Sequence, residues 1–217
     1  MTSVIKIYDR AIDAIDDPFL TQTYKTNKID FCEIMFGFLQ RAIPIFNTPA
    51  VESMRLETLV EPQRQTSDFV GDGVTKDYQI QPLSEDNNEL IVQATINGEK
   101  ASGSYDFNSG IFTFNEAPSE GDSIEIIQYT VGNFKADLDN MELSILSLLL
   151  VSCWSEKEEN FLLDIRRLLH TSDFKLHDAS SSLKAKMSWH YSMYEKAQKL
   201  MNNYSYYIFK RKNFGAH

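Results

Sequence analysis

The most constraining feature of this 217-residue sequence is a change of hydrophobic period. In the first sixty or so residues, and again from about residue 135, apolar residues recur every three or four positions, the spacing of amphipathic helices. Between them, from Phe69 ("FVGDGVTKDYQIQPL"), the period drops to two. "YQI" alternates, "ELIVQATI" reads as a strand, and Asn97-Gly98 is a strong short hairpin signal. "YDF", the turn "NSG", "IFTF", the turn "APSEGD" and the strand "SIEIIQYT" follow. A chain that changes period twice predicts an α+β fold in which a small antiparallel β domain is inserted between two halves of a helical bundle. The boundaries are read as 1–65 for the first helical half, 66–134 for the β insert and 135–217 for the second half. About 65 residues is near the lower edge of what folds alone.

Within the helical parts, Val4, Tyr8, Ala11 or Ile12, and Ile15 form the first stripe, which "DDP" at Asp16–Pro18 punctuates. The stretch "TQTYKTNK" reads as polar. Asp30 and Glu33 are spaced as a capping box for a second helix with face Phe31, Ile34 or Met35, Phe38 and Ala42, which Ile43-Pro44 ends or kinks. Residues 45–66 stay open between a short helix and a strand. After "VGN", Asp139 and Glu142 form another capping box, with Leu138 placed to staple it. The helix that follows is apolar nearly all round, which predicts the most buried element. Ser155 and Glu158 predict the start of a separate helix, and Ser180–Ser182 the N-cap of the last one. Its face reads Leu183, Met187, Tyr191, Tyr194, Ala197, Met201 and Tyr204. Continued to Tyr207 it would extend about 40 Å, longer than a compact bundle needs, so its end is expected to project.

Composition limits the function. A hydrophobic content of 42% and a mean hydropathy of −0.33 fit a globular domain. The longest apolar run, "MELSILSLLLVSCW", is too short to span a bilayer and is broken by Glu142 and three serines. Lys6, Asp9, Arg10 and Asp13 interrupt any signal-peptide core. Cys32 and Cys153 both fall inside apolar helical patterns, which argues against a disulfide framework and for synthesis in a reducing cytoplasm. With 21 Lys+Arg against 31 Asp+Glu the net charge is −10, which opposes a tight grip on nucleic acid and suits a surface that DNA slides past.

The chemistry-bearing residues do not converge in sequence. His170, His177, His190 and His217 show no metal-ligand spacing with each other or with the cysteines. Gly71-Asp72-Gly73 lacks the Gly-Lys-Ser/Thr and the following helix of a phosphate loop, so it reads as a tight turn. The expectation is therefore no catalytic residue, no metal and no cofactor. One segment stands out: "YSYYIFKRKNFGAH" interleaves Tyr204, Tyr206, Tyr207, Phe209 and Phe214 with Lys210, Arg211 and Lys212. It reads either as a frayed solubilising tail or as a docking element, since aromatic residues and Arg anchor interfaces. Contact with nucleic acid is a third, less favoured reading in so acidic a chain.

Two groups of residues carry a resemblance. Gly71–Thr75, Glu89–Gly98, Tyr105–Phe107, Ile111–Phe114 and Ala117–Asp122 resemble a β module common in bacteriophage tail and neck proteins. The helical segments resemble the head-to-tail connector (adaptor) family of tailed phages. These are Asp17–Phe46, with Leu39, Ala42, Ile43 and Phe46 in an "LxxAIxxF" pattern; Leu138, Glu142, Ile145, Leu146 and Trp154; and Ser172–Met187 followed by a long helix to "YSYY". Family members often carry a short β-hairpin where this chain has the β insert, so ring size and contacts can differ.

The resemblance implies a structural virion protein at the phage neck, synthesised in the host bacterial cytoplasm and forming a ring, usually dodecameric, beneath the portal. DNA would pass through the lumen without specific binding. The partners implied are the portal protein, docked by the residues from Tyr204 to Phe214, and further neck or tail-completion proteins; no membrane is implied. The alternative is a tail or baseplate protein whose β module binds a host surface or a tail partner.

Overall fold

A computed structural model describes residues 1–15, 17–46, 53–83, 90–169 and 177–214. The fold is α+β. It divides into two compact units, Met1–Thr58 with Phe134–His217, and Leu59–Asn133. The second unit thus begins seven residues before the expected position 66, because a strand not visible as an apolar alternation starts there.

In the helical unit, β1 (Thr2–Ser3) leads into α1 (Ile5–Ile12), which buries Ile7, Tyr8 and Ala11. Val4 and Ile15 extend that stripe into the core. The polar stretch that follows falls largely within helix α2 (Pro18–Thr26). Asp17 caps it, its carboxylate accepting from the backbone N–H of Phe19 (2.8 Å) and Leu20 (3.2 Å), and Pro18 at the first position pre-sets φ. Leu20 is its one buried residue, so no stripe betrays it.

The next helix, α3 (Lys28–Phe46), starts before Asp30, with Asn27 as the capping residue. The Asn27 side chain accepts from the Asp30 N–H (3.3 Å) and donates to the Asp30 carboxylate (2.6 Å). Pro44 lies inside α3, which runs on to Phe46. A 3-10 turn, Ser53–Thr58, carries buried Leu56.

α4 (Asn140–Leu169) is one continuous helix, not two. Ser155 is buried within it, and residues 140–169 contain neither Gly nor Pro to stop it. Its start is the expected capping box: Asp139 Oδ1 accepts from the N–H of Met141 and Glu142 (2.8 Å each), and Glu142 Oε2 accepts from the Asp139 N–H (2.7 Å). α5 (His177–Phe214) starts ahead of the serine run. At 38 residues it is about 57 Å long. α4 packs against α1, α3 and α5. Its buried Ile145, Leu146, Leu149, Leu150, Val151 and Trp154 form the centre of this unit.

The chain passes between the units at β2 (Leu59–Val60) and β10 (Asn133–Phe134). Inside the β unit, β3 (Gln63–Val70), β9 (Ser123–Thr130), β5 (Leu90–Ile96) and β6 (Glu99–Ala101) make one antiparallel sheet in that order. β4 (Asp77–Gln79), β8 (Ile111–Phe114) and β7 (Gly103–Asp106) make a second. Tyr78, Ile80, Ala94, Phe112, Phe114, Ile124 and Ile126 form its core. The β5–β6 hairpin turns on Asn97 (φ 51°) and Gly98 (φ 83°), the two positive values that a two-residue turn of this hand requires.

Candidate partner-docking surface on the C-terminal helix

The position of α5 is set by a buried carboxylate. Glu142 is fully buried in the first turn of α4. Its Oε2 already caps Asp139 and sits 3.2 Å from the Arg55 guanidinium. Its Oε1 accepts from the Tyr204 hydroxyl at 2.8 Å. Arg55 also donates to the Asp137 carbonyl, which orients it. A carboxylate without water is tolerable only when such partners replace its hydration, and here a backbone N–H, a phenol and a cation do so. Burial, and then the hydrogen bond to Glu142, raise the pKa of the Tyr204 phenol far above its ordinary value. The Phe46 ring packs edge-on against Tyr204, with centroids 5.7 Å apart.

Further along, Trp189 packs edge-on against Trp154 (5.8 Å), and the His190 ring lies 3.0 Å from the Ser152 carbonyl oxygen. Rising numbers on α5 therefore meet falling numbers on α4, so the two helices are antiparallel. Because Tyr204 is already level with Glu142, α5 reaches the first residue of α4 within one further turn. Its last residues, to Phe214, run about 10 Å beyond.

The buried stripe of α5 is Met193, Ala197, Met201 and Tyr204, continued by half-buried Ile208. Tyr204 is thus a core residue, only 1% exposed, and not part of a docking face. Tyr206 (69% exposed), Phe209 (60%) and exposed Lys210 fall on the other side of the same helix, and Tyr207 (51%) lies at its flank. Arg211, Lys212 and Phe214 continue α5, but their side chains lie outside the described residues. Tyr206, Tyr207, Phe209 and Lys210 are all exposed near the end of α5, and burial separates Tyr204 from them. Tyr191, read as part of the buried face, is instead 58% exposed.

The residues that anchor this helix, Glu142 and Arg55, were not visible as such in the sequence. Glu142 was legible only as a cap. The one signal of a second role is a carboxylate on an otherwise apolar helix, which needs a partner from elsewhere.

The remaining candidates resolve into structural roles. The Gly71–Gly73 loop cannot cradle a phosphate, because its amides are occupied. The Asp72 carboxylate accepts from the N–H of Val74 (2.9 Å) and Thr75 (2.6 Å) and from the Thr75 hydroxyl (2.6 Å). Gly71 and Gly73 donate to the carbonyls of Asp122 (2.8 Å) and Pro118 (3.1 Å). Those bonds, the Thr75 hydroxyl first, lower the Asp72 pKa to about 2. A Cβ at Gly71 would lie 2.2 Å from the Ser119 carbonyl oxygen, so this approach requires glycine.

Both cysteines are buried and free, and burial pushes the Cys32 thiol up to about 12. Among the described residues no group of three His, Cys, Asp or Glu could hold a metal ion, and no helix is long and apolar enough to cross a membrane. His170 and His217 lie outside the described residues.

Compared with known proteins, the chain matches no family model, no curated protein and no solved structure. The functional reading therefore rests on the residues and their geometry.

Proposed function

We propose that this chain is a structural protein of a tailed-phage neck, a head-to-tail connector that assembles into a ring beneath the portal and lets DNA pass. The observation that carries the proposal is the end of α5, which exposes Tyr206, Tyr207, Phe209 and Lys210 in a chain of net charge −10. A protein that exposes three aromatic rings on one short helical segment is exposing interface anchors.

In this reading the helical unit builds the ring wall and the end of α5 docks on the portal. The β unit meets a further neck or tail-completion protein. The acidic balance keeps the lumen from holding phosphate, since backbone contacts to DNA depend on clustered cations.

The test is electron microscopy and co-sedimentation of the purified protein with purified portal. The full chain is expected to form closed rings that bind portal. Deletion of residues 205–217 cuts immediately after Tyr204, so the buried Glu142 contact survives. This truncated chain should keep its circular dichroism spectrum and lose portal binding. Undiminished binding by the truncated protein, or a full chain that stays monomeric beside portal, overturns the reading.

A further inference from the structure

The longest sheet edge in the β unit is β3, and its residues are arranged to pair with themselves. β3 ends the four-stranded sheet, and among the described residues no strand lies on its outer side. The edge strands elsewhere, β6, β4 and β7, have three, three and four residues, whereas β3 has eight. Its register with β9 runs unbroken from Gln63 against Thr130 to Val70 against Ser123, so no bulge twists the edge away. No proline interrupts it, Pro62 standing just ahead of its first residue.

The direction of the strand's outer backbone groups follows from the ladder. Gly71 N–H bonds the Asp122 carbonyl and Gln63 N–H bonds the Thr130 side chain, so the odd-numbered residues turn toward β9. By the alternation of antiparallel strands, Arg64, Thr66, Asp68 and Val70 turn their N–H and C=O groups outward. The same four residues have exposed side chains. An outward strand of this kind pairs with a second copy only in registers that bring even-numbered residues opposite each other. Charge selects among them. A twofold axis at Thr66 sets Arg64 opposite Asp68 of the second copy, twice, with Thr66 opposite Thr66. Opposite charges and paired threonines are favourable cross-strand neighbours. A parallel arrangement would stack Arg64 on Arg64.

We infer that β3 is a self-complementary edge through which two copies of this chain associate antiparallel about Thr66, closed at each side by an Arg64–Asp68 pair. Such a patch is its own partner, as an isologous contact requires. Charges on an edge strand also serve to keep other strands away. Blocking needs no particular spacing, whereas Arg64 and Asp68 stand symmetrically about Thr66. A strand pair alone buries less than the ~1,200 Å² of a stable interface, so the association is concentration-dependent. It neither uses nor requires the neck reading.

Thr66→Cys in the full chain tests the register, because only residue 66 faces its own copy; the native Cys32 and Cys153 are buried. Under a mild oxidant Thr66→Cys is expected to form a disulfide-linked dimer on a non-reducing gel. Val70→Cys, equally exposed but opposite Pro62, is expected to remain monomeric. In the Thr66→Cys background, Arg64→Asp or Asp68→Arg should each cut dimer yield about tenfold by setting like charges opposite, and the double exchange should restore it. Equal cross-linking at residues 66 and 70, or a double exchange that stays as low as either single change, overturns the inference.

Discussion

The two units use carboxylates in opposite ways. In the helical unit Glu142 is fully buried and joins residues far apart in sequence: Arg55 in the 3-10 turn, Asp139 ahead of α4 and Tyr204 near the end of α5. In the β unit Asp72 and Asp106 are exposed, and each closes its own turn. Asp72 bonds Val74 and Thr75, while Asp106 bonds the Asn108 N–H (3.0 Å) and the Ser109 hydroxyl (2.7 Å). Burial is the difference that matters. A buried carboxylate left without partners has no water to turn to, so its loss propagates to every element it joins. An exposed one is rehydrated, so its loss stays in the turn.

The largest effect that can break this contrast is at Glu142. Glu142→Ala strands the Tyr204 hydroxyl and the Arg55 guanidinium, and should cost about 3 kcal/mol of helical-unit stability in chemical denaturation. A loss below 1 kcal/mol would show that water enters the site and that the network is not the anchor of α5.

Tyr204→Phe keeps the ring against Phe46 and removes only the hydroxyl, so about 1–2 kcal/mol is expected. Tyr206→Phe, on the exposed side of the same helix, should stay within about 0.5 kcal/mol. Equal values at the two positions would contradict the phase of α5 described above.

The smallest effect belongs to Asp72. Its turn bonds, the Thr75 hydroxyl first, lower its pKa from 3.8 to about 2. A depressed carboxyl binds fewer protons folded than unfolded, so its contribution is fully present above the unfolded value and disappears as pH falls through the folded one. Asp72→Asn should therefore flatten the acid limb of β-unit melting between pH 3.8 and about 2, and leave the helical unit's profile unchanged. An unchanged acid limb would place the proton uptake elsewhere.

Where local chemistry decides, the sequence was readable. The Asp139–Glu142 box, the Asn97-Gly98 hairpin and the α1 stripe each involve residues within a turn or two of one another. Elements with little apolar signal were harder. α2 buries only Leu20, so its start depends on Asp17 and Pro18. β3 reads as polar because its outer residues are exposed and its inner ones, Gln65, Ser67 and Phe69, are half-buried. Ser155 and Ser180–Ser182 looked like helix starts because serine caps well. Inside α4 and α5 they are ordinary helical residues, since neighbouring turns already propagate the helix and no Gly or Pro opposes it. In the candidate docking segment, composition marked all eight aromatic and basic residues alike, and could not sort Tyr204 from Tyr206 and Tyr207.

By itself the sequence determined the two-period organisation, the turns and the capping boxes, because each depends on backbone conformations that neighbouring side chains impose. Only the tertiary structure decided which face of α5 is inside. That choice depends on Glu142, 62 residues earlier, needing a hydrogen-bond donor at the depth where Tyr204 lies. A buried charge selects its partner by position in space, and spacing along the chain carries no record of it.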